Sequence, residues 1–273
     1  MEILRNVVGD VLKPVLRKVA EGLQSPILLT VEFTTTQFDF KFKAPSTSTL
    51  NIYDGDGTLT AVAGNDDTLV THTTSYVAPG TYYFYVEGDW ADITQITLSP
   101  QNNYTCNISR WSEMPNMTVI NINNSSGIGA YGSIDSFGVF VNLLQLSVGI
   151  VAVTGNIENL STCISLISVN LKNSGVGGNF ASLAELPLIA FNAFNSQIEF
   201  NSIVEFSDTV KSLFYFYDCE WTSTMVDNCL LSLAAGGVTE ATIKIGGTNA
   251  ARTSASDAAF AYLDANNTLE VNS

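Results

Sequence analysis

"LISVNLKNSGVGGNF" occupies residues 166–180. Its apolar side chains fall at Leu166, Val169, Leu171 and Val176, with Ser174 two residues before the last. Written as a frame, this is apolar-x-x-apolar-x-apolar-x-x-(Asn/Ser)-x-apolar. The frame recurs in "MTVININNSSGIG" from 117 (Met117, Ile120, Ile122, Ser125) and in "LLQLSVGIVAVTGNI" from 143 (Leu143, Leu146, Val148, Val151, Val153). It recurs again in "LIAFNAFNSQIEF" from 188 (Leu188, Phe191, Ala193, Ser196, Ile198). A fifth copy is expected through Phe214, Tyr217 and Cys219, and a sixth through Ala241, Ile243 and Ile245. Successive starts lie 26, 23, 22 and 26 residues apart. A period of this length marks stacked units, none of which can bury its apolar side alone.

The frame resembles the leucine-rich repeat in a degenerate form. The resemblance implies one short strand per unit, a turn, and a return segment ("GNIENLSTC", "GNFASLAEL"), with the ninth-position Ser bonding the backbone of the turn. Val151 departs from that position. A β-sandwich or an irregular β-helix is the alternative arrangement for the same spacing. The final stretch, "SASDAAFAYLDANNTLEVN", reads as a helix capped by Ser254 or Ser256 and then a short strand. "TIKIGGTNAARTSASDAAFAYL" (242–263) resembles the unit that closes bacteroidete-type leucine-rich-repeat proteins, and a cap is physically required over the last apolar rung.

Upstream, the pattern changes to period two. In "QFDFKFK" (37–43), Phe38, Phe40 and Phe42 alternate with charged neighbours, as in a half-buried strand. Strands are also expected at 27–33, 49–54, 68–73, 81–88 and 93–99, and six or seven of them make a β-sandwich. "IYDGDGT" (52–58) and "HTTSYVAPGTYYFYV" (72–86) resemble the polycystic-kidney-disease (PKD)-type immunoglobulin-like module, with Tyr53 where Trp or Phe is common. As a calcium loop counted from Asp54, the turn would place Leu59 at the glycine position and Asn65 at the bidentate glutamate position. It is read as a tight turn, with no metal.

The chain has 273 residues, a formal net charge of −15 and only 14% charged residues. Such a surface does not suit nucleic acid, which needs clustered Lys and Arg. Cys106, Cys163, Cys219 and Cys229 form no CxxC pair and read as buried thiols. His72 is the only histidine, which argues against His-assisted nucleophiles and His-ligated metals. A carboxylate-only glycosidase would need an acid and a nucleophile or base at a set spacing, and no pair stands out. The chain is expected to be no enzyme and to need no cofactor.

Residues 1–23 are different in kind. Arg5, Lys13, Arg17 and Lys18 against Glu2, Asp10 and Glu21 give a net +1, leaving −16 for the rest. Leu4, Val7, Val8, Val11, Leu12, Val15, Leu16 and Val19 form one broad helical stripe. Pro14 divides it into two short helices, 3–12 and 14–23, spanning about 33 Å end to end. No run of 18 apolar residues is present, so no membrane span is expected. Apolar runs of only two make a Sec signal unexpected. The stripe cannot stand alone in water: packing on the chain's own body is one reading, its near-balanced charge makes a poor membrane binder, and an anchor for a partner or for self-assembly is the favoured one.

The expected fold class is therefore mainly β, in three parts: an anchoring helix at 1–24, a PKD/Ig-like sandwich at 25–100, and a leucine-rich-repeat-like solenoid with a helical cap at 101–273. The outer strand face of the repeats is the expected binding surface: Asn121, Asn123, Gln145, Ser147, Ser168, Asn170, Lys172, Asn192, Phe194, Asp218 and Glu220. Its amides and hydroxyls suit sugars, and "YFYDCEW" (215–221) adds aromatics. The combination resembles surface adhesins of gut bacteria and adhesion or fibre proteins of phages that infect them. The resemblance implies a homo-oligomeric virion fibre or decoration, docked to other virion proteins through 1–23 and facing a host glycan or protein. A bacterial cell-surface adhesin is the alternative.

Overall fold

The structure is a computed structural model, and it describes residues 27–32, 37–66, 68–76, 78, 80–98, 103–122, 130–149, 152–206 and 212–272. The protein is mainly β, built on two large sheets. The first part contains β1 (Leu28–Glu32), β2 (Gln37–Lys43), β3 (Thr49–Tyr53), β4 (Leu59–Ala63), β5 (Val70–Ser75), β6 (Thr81–Gly88) and β7 (Gln95–Leu98). The second contains β8 (Asn103–Asn107), β9 (Val119–Ile122), β10 (Ala130–Ser133), β11 (Gln145–Ser147), β12 (Ala152–Asn156), β13 (Ser168–Asn170) and β14 (Gly175–Asn179). It continues through β15 (Ala190–Asn192), β16 (Gln197–Glu199), β17 (Leu213–Tyr215), helix α1 (Ser223–Ala235), β18 (Thr242–Ile245), helix α2 (Asp257–Asn266) and β19 (Thr268–Val271).

One sheet has nine strands in the order β16-β14-β12-β10-β8-β1-β6-β3-β4, and the other ten in the order β19-β18-β17-β15-β13-β11-β9-β7-β2-β5. Up to β7 the pairings are antiparallel; from β9 onward they are parallel. Both sheets run through the change of pairing near residue 100. β7 pairs antiparallel with β2 and parallel with β9, and β8 pairs antiparallel with β1 and parallel with β10. The antiparallel strands thus cover one end of the parallel stack, where open edges would otherwise invite pairing with another chain.

The repeat frame matches the ladder. Ile96, Ile120, Leu146, Val169 and Phe191 lie side by side in the ten-stranded sheet, all buried. The fifth copy differs from the expectation by three residues. Phe214 pairs with Phe191, so Phe214 and Phe216 point into the core while Tyr217 is half-buried. Two aromatic alternations, Phe-x-Phe and Tyr-x-Tyr, overlap in "LFYFYD", and only pairing with Phe191 chooses between them. The sixth copy holds, with Ala241, Ile243 and Ile245 all buried.

Each of the middle units also makes a second strand, where only a turn and a return segment were expected. In "AVTGN" and "GVGGN" the chain joins the nine-stranded sheet before a 3-10 segment leads back. Glycine disfavours strands, so local sequence conceals these two. The exits from these strands are tied by side chains. Asn107, Ser133, Asn156 and Asn179 each accept from the backbone N–H two residues on, at 2.9–3.2 Å. The units are also tied to each other: Asp135 Oδ1 accepts from Asn156 N at 2.7 Å, Glu158 Oε1 from Asn179 N at 3.2 Å, and Asn179 Oδ1 from Asn201 N at 3.2 Å. The bond from Asn156 N–H, with that from Ser133, holds the Asp135 carboxyl below the usual aspartate range.

Glycine precedes the cap in three of these units, and at Gly155 the reason is plain. Its φ is +116°, and a Cβ there would lie 2.6 Å from Ser133 Oγ and 2.9 Å from Asp135 Oδ1. The core between the sheets is one apolar cluster running from Ile27 to Leu263. Phe180 sits at an aromatic centre, 4.4 Å from Phe191 and 5.1 Å from Phe216 by ring centroids. Each such fully buried side chain contributes about 1.5–3 kcal/mol.

Helix α1 was not anticipated from sequence. It replaces the second strand of the fifth unit, begins at Thr222 and packs against α2. The expected C-terminal helix and strand are α2 and β19, but Ser256 does not cap the helix. Its hydroxyl donates to Asp227 Oδ1 at 2.6 Å instead. Asp227 also accepts from Thr253 N (3.0 Å) and Thr253 Oγ1 (2.6 Å). Burial alone would raise its pKa; the bonds from Ser256 and Thr253, with Arg252 nearby, bring it below the usual aspartate range.

Two outcomes are expected. Gly155→Ala should lose about 2 kcal/mol in urea denaturation, because a Cβ is strained at that φ and strikes the neighbouring cap. Asp227→Ala should lose about 3 kcal/mol at neutral pH. A depressed carboxyl stabilises above the unfolded value near 3.9 and loses this as pH falls through its folded value. The gap between wild type and Asp227→Ala should therefore close below about pH 4 in thermal melts.

Candidate functional site

The outer face of the ten-stranded sheet is ordered by strand register. Thr97, Asn121, Ser147, Asn170, Asn192, Tyr215, Lys244 and Glu270 form one row across eight neighbouring strands. At the usual strand spacing the row is about 34 Å long. Gln145 and Ser168 lie in the adjoining row with Ala190 and Leu213. Of the residues expected on this face, Asn121, Gln145, Ser147, Ser168, Asn170 and Asn192 are there, exposed or half-buried. Asn123 lies outside the described residues, as do the anchoring residues Leu4, Val7, Val8, Val11, Leu12, Val15, Leu16 and Val19.

The asparagines are held by their own backbone. Asn170 Oδ1 accepts from Lys172 N at 3.2 Å and Asn192 Oδ1 from Phe194 N at 3.0 Å, while Asn170 Nδ2 donates to Ser147 Oγ at 3.3 Å. Side chains fixed in this way lose little freedom when a ligand arrives.

Lys172 and Phe194 sit just past the strand ends, where a second row begins. Lys172 Nζ lies 5.2 Å from the Phe194 ring centre, and Phe194 is stacked on Tyr217 at 6.0 Å with the planes 4° apart. Lys244 Nζ lies 5.5 Å from the Tyr215 ring and 3.1 Å from Glu270. The Glu270 carboxylate raises the Lys244 ammonium above the usual lysine range. Tyr215 and Tyr217 belong to the stretch expected to add aromatics to this face, but with the fifth frame set three residues off their places were wrong, and the Phe-x-Phe alternation of 214 and 216 was the available signal; Lys244 was missed although the inward Ile243 and Ile245 of the sixth copy already turn it outward.

Asp218 and Glu220 are correspondingly not on the strand face. They stand at the corner beyond it, with φ of +59° and +56°. Asn173 and Asn195 occupy the same corner in the preceding units, at +58° and +51°, and Asn195 Nδ2 donates to Asn173 Oδ1 at 2.9 Å. Asx residues tolerate this left-handed geometry better than other non-glycines. Past the corner is a groove of about 670 Å³ where the nine-stranded sheet ends at β16 and α1 begins. Asn195, Gln197, Glu199, Asp218 and Glu220 line it with Trp221. Among the described residues no three His, Cys, Asp or Glu side chains group as metal ligands.

The groove floor is set by buried polar bonds. Ser196 Oγ donates to Ala193 O at 2.8 Å, as the ninth-position Ser was expected to do, and Cys219 Sγ lies 3.0 Å from the same carbonyl. Asn249 Oδ1 accepts from Cys219 N (3.0 Å) and Trp221 N (3.1 Å), while its Nδ2 donates to Phe216 O at 2.5 Å. All four cysteines are buried and unpaired. Burial pushes the Cys219 thiol up to about 11, as it does that of Cys163. The lone His72 is also spent internally: its Nε2 is 2.7 Å from Asp54 Oδ1, to which Thr74 also donates at 2.5 Å. Asp54 thereby faces inward from the turn that was weighed as a calcium loop, and Asp56 Oδ1 accepts from Thr58 N at 2.8 Å.

No helix among the described residues is long and apolar enough to cross a membrane. No protein-family model and no curated protein matches the chain. Among solved structures, the crystal structure of PEPR1–AtPEP1 matches with a TM-score of 0.35 and 14% identity over 58% of this chain and 25% of that one. The match spans about a quarter of that protein's length, and a superposition so loose carries no argument.

Asn249→Ala should uncover Cys219. Thiol labelling of native protein should be at least about tenfold faster at Cys219 than in wild type, with about 3 kcal/mol of stability lost in denaturant melts.

Proposed function

We propose that the protein is a non-enzymatic adhesion protein of a bacteriophage virion, a head or tail fibre or decoration, that grips a host-surface glycan through the outer face of its ten-stranded sheet. In this reading the antiparallel strands are a PKD/Ig-like sandwich. The parallel units are a leucine-rich-repeat-like solenoid, and α1 and α2 are its closing cap. The observation that carries the reading is the row from Asn121 to Lys244, which meets the aromatic pair Phe194–Tyr217 beside a polar groove.

Sugars need two things from such a surface: fixed donors and acceptors for their hydroxyls, and flat aromatic faces for their C–H sides. Asn170, Asn192 and Ser147 supply the first. Phe194, Tyr215 and Tyr217 supply the second, and Lys172 or Lys244 would favour an acidic sugar in an otherwise strongly negative protein. Location on a virion rests on the amphipathic segment 1–23 and on the resemblance to phage adhesion proteins. The same face would serve a bacterial surface adhesin, and mass spectrometry of purified particles separates the two.

The binding reading is tested on host capsular and surface polysaccharides by calorimetry. Tyr215→Ala and Phe194→Ala should each weaken binding about tenfold, or about 1.4 kcal/mol, with the melting temperature unchanged. Absence of binding to every host glycan at millimolar sites, or release of new reducing ends from one of them, would defeat it.

A further inference from the structure

The molecule has a second surface that the glycan face does not use. Along the opposite lateral edge, where the 3-10 segments return to the ten-stranded sheet, Val139, Val141, Leu144, Ile164 and Ile189 are 37–70% exposed. They are aligned by the repeat. Val141 and Ile164 occupy equivalent turns, each N–H donating to the carbonyl two residues before it at 3.0 Å. Leu144 O accepts from Ile167 N, and Ile167 O from Ile189 N, so these positions stack directly. Val141 with Ile164, and Leu144 with Ile189 through Ile167, are in register across three units, with Val139 beside them; aligned exposures of this kind form an apolar ridge, whereas scattered single ones would need no explanation.

Three observations identify what covers it. The first is where the described chain begins. β1 runs antiparallel to β8, with Leu29 opposite Cys106, so Ile27 lies at the end of β8 that enters the 3-10 layer. That is the ridge's own edge of the molecule. The coil bearing Val139 follows β10, two strand positions from β1, or about 10 Å. Four extended residue steps, from 23 to 27, reach about 13 Å.

The second is fit. The sequence of residues 3–23 spaces its apolar side chains as one helical stripe, and a ten-residue helix is about 15 Å long, enough to cross three units spaced about 5 Å apart.

The third is charge. Residues 134–144, 157–167 and 180–189 contain Asp135, Glu158 and Glu185 and no Lys or Arg, whereas 1–23 is net +1, with Arg5, Lys13, Arg17 and Lys18 against Glu2, Asp10 and Glu21, in a chain that is otherwise −16.

We propose that the ridge is an internal docking site for the chain's own N-terminal segment, residues 3–23, which lies apolar side down across Val141, Leu144, Ile164 and Ile189. The segment is then stowed on the body before any particle partner competes for the same stripe. This holds whether or not the sheet face binds glycan.

The test is limited trypsinolysis of the full chain, following cleavage after Arg17 and Lys18 by mass spectrometry, with light scattering for mass. Wild type should be cleaved slowly at these sites, with a mass that the ridge variants leave unchanged. Ile164→Asp and Ile189→Asp, at exposed positions that leave the core intact, should each speed cleavage at least tenfold. Leu59→Asp, equally exposed but on β4, should leave it unchanged. Equal rates in wild type and the ridge variants would overturn the proposal. So would a wild-type dimer that the ridge variants dissociate without altering cleavage, since a second copy would then be the occupant.

Discussion

The parallel part of this protein depends on how the chain leaves the nine-stranded sheet. At each exit the backbone turns sharply into a 3-10 segment, and an N–H is turned away from the strand ladder. Asn107, Ser133, Asn156 and Asn179 take that N–H, and Asp135, Glu158 and Asn179 take the one presented by the following unit. Most of these bonds lie at the exposed edge, where each contributes about 0.5–1.5 kcal/mol, and together they set the direction of the turn unit by unit. Gly155 is part of the same arrangement, since its missing side chain leaves room for the acceptors of the unit before.

With the exits fixed, both sheets can grow by simple addition, and the apolar frame residues meet in one core. The antiparallel strands belong to that core as fully as the repeats do. Phe38, Phe40 and Phe42 on β2 are as buried as Leu146 or Val169, and β7 is at once a strand of the first part and the first rung of the parallel ladder. At the other end, sheet growth stops on one side only: β16 ends the nine-stranded sheet while β17, β18 and β19 continue the ten-stranded one. Helices α1 and α2 fill the resulting step, joined through Asp227, Thr253 and Ser256. The polar groove exists because of that step.

Much of this was legible in the residues. Phe38-x-Phe40-x-Phe42 declares a half-buried strand without help, and the frame at 117, 143, 166 and 188 declares stacked units, because burial periodicity is written locally. The strand at Leu59–Ala63 was not legible, since it is exposed or half-buried along its whole length and shows no alternation of buried side chains. The second strands of the repeats were hidden by glycine. The helix at 223–235 follows a strand that gave no hint of a change in structure, and Ser256 looked like a cap until Asp227, 29 residues away, claimed its hydroxyl.

Sequence by itself determined that the chain is mainly β, where the frame of the first four units lies, and that Asn121, Gln145, Ser147, Ser168, Asn170 and Asn192 turn away from the core, because a period of two or of about 23 is carried by neighbouring residues. Tertiary structure alone decided the register of the fifth unit, where Phe214 and Tyr217 were equally good locally and only the strand beside Phe191 selects one. That choice moved Asp218 and Glu220 off the strand face to the groove and set Tyr215 on it, between Asn192 and Lys244. Register is a relation between strands, and no stretch of a single strand contains it.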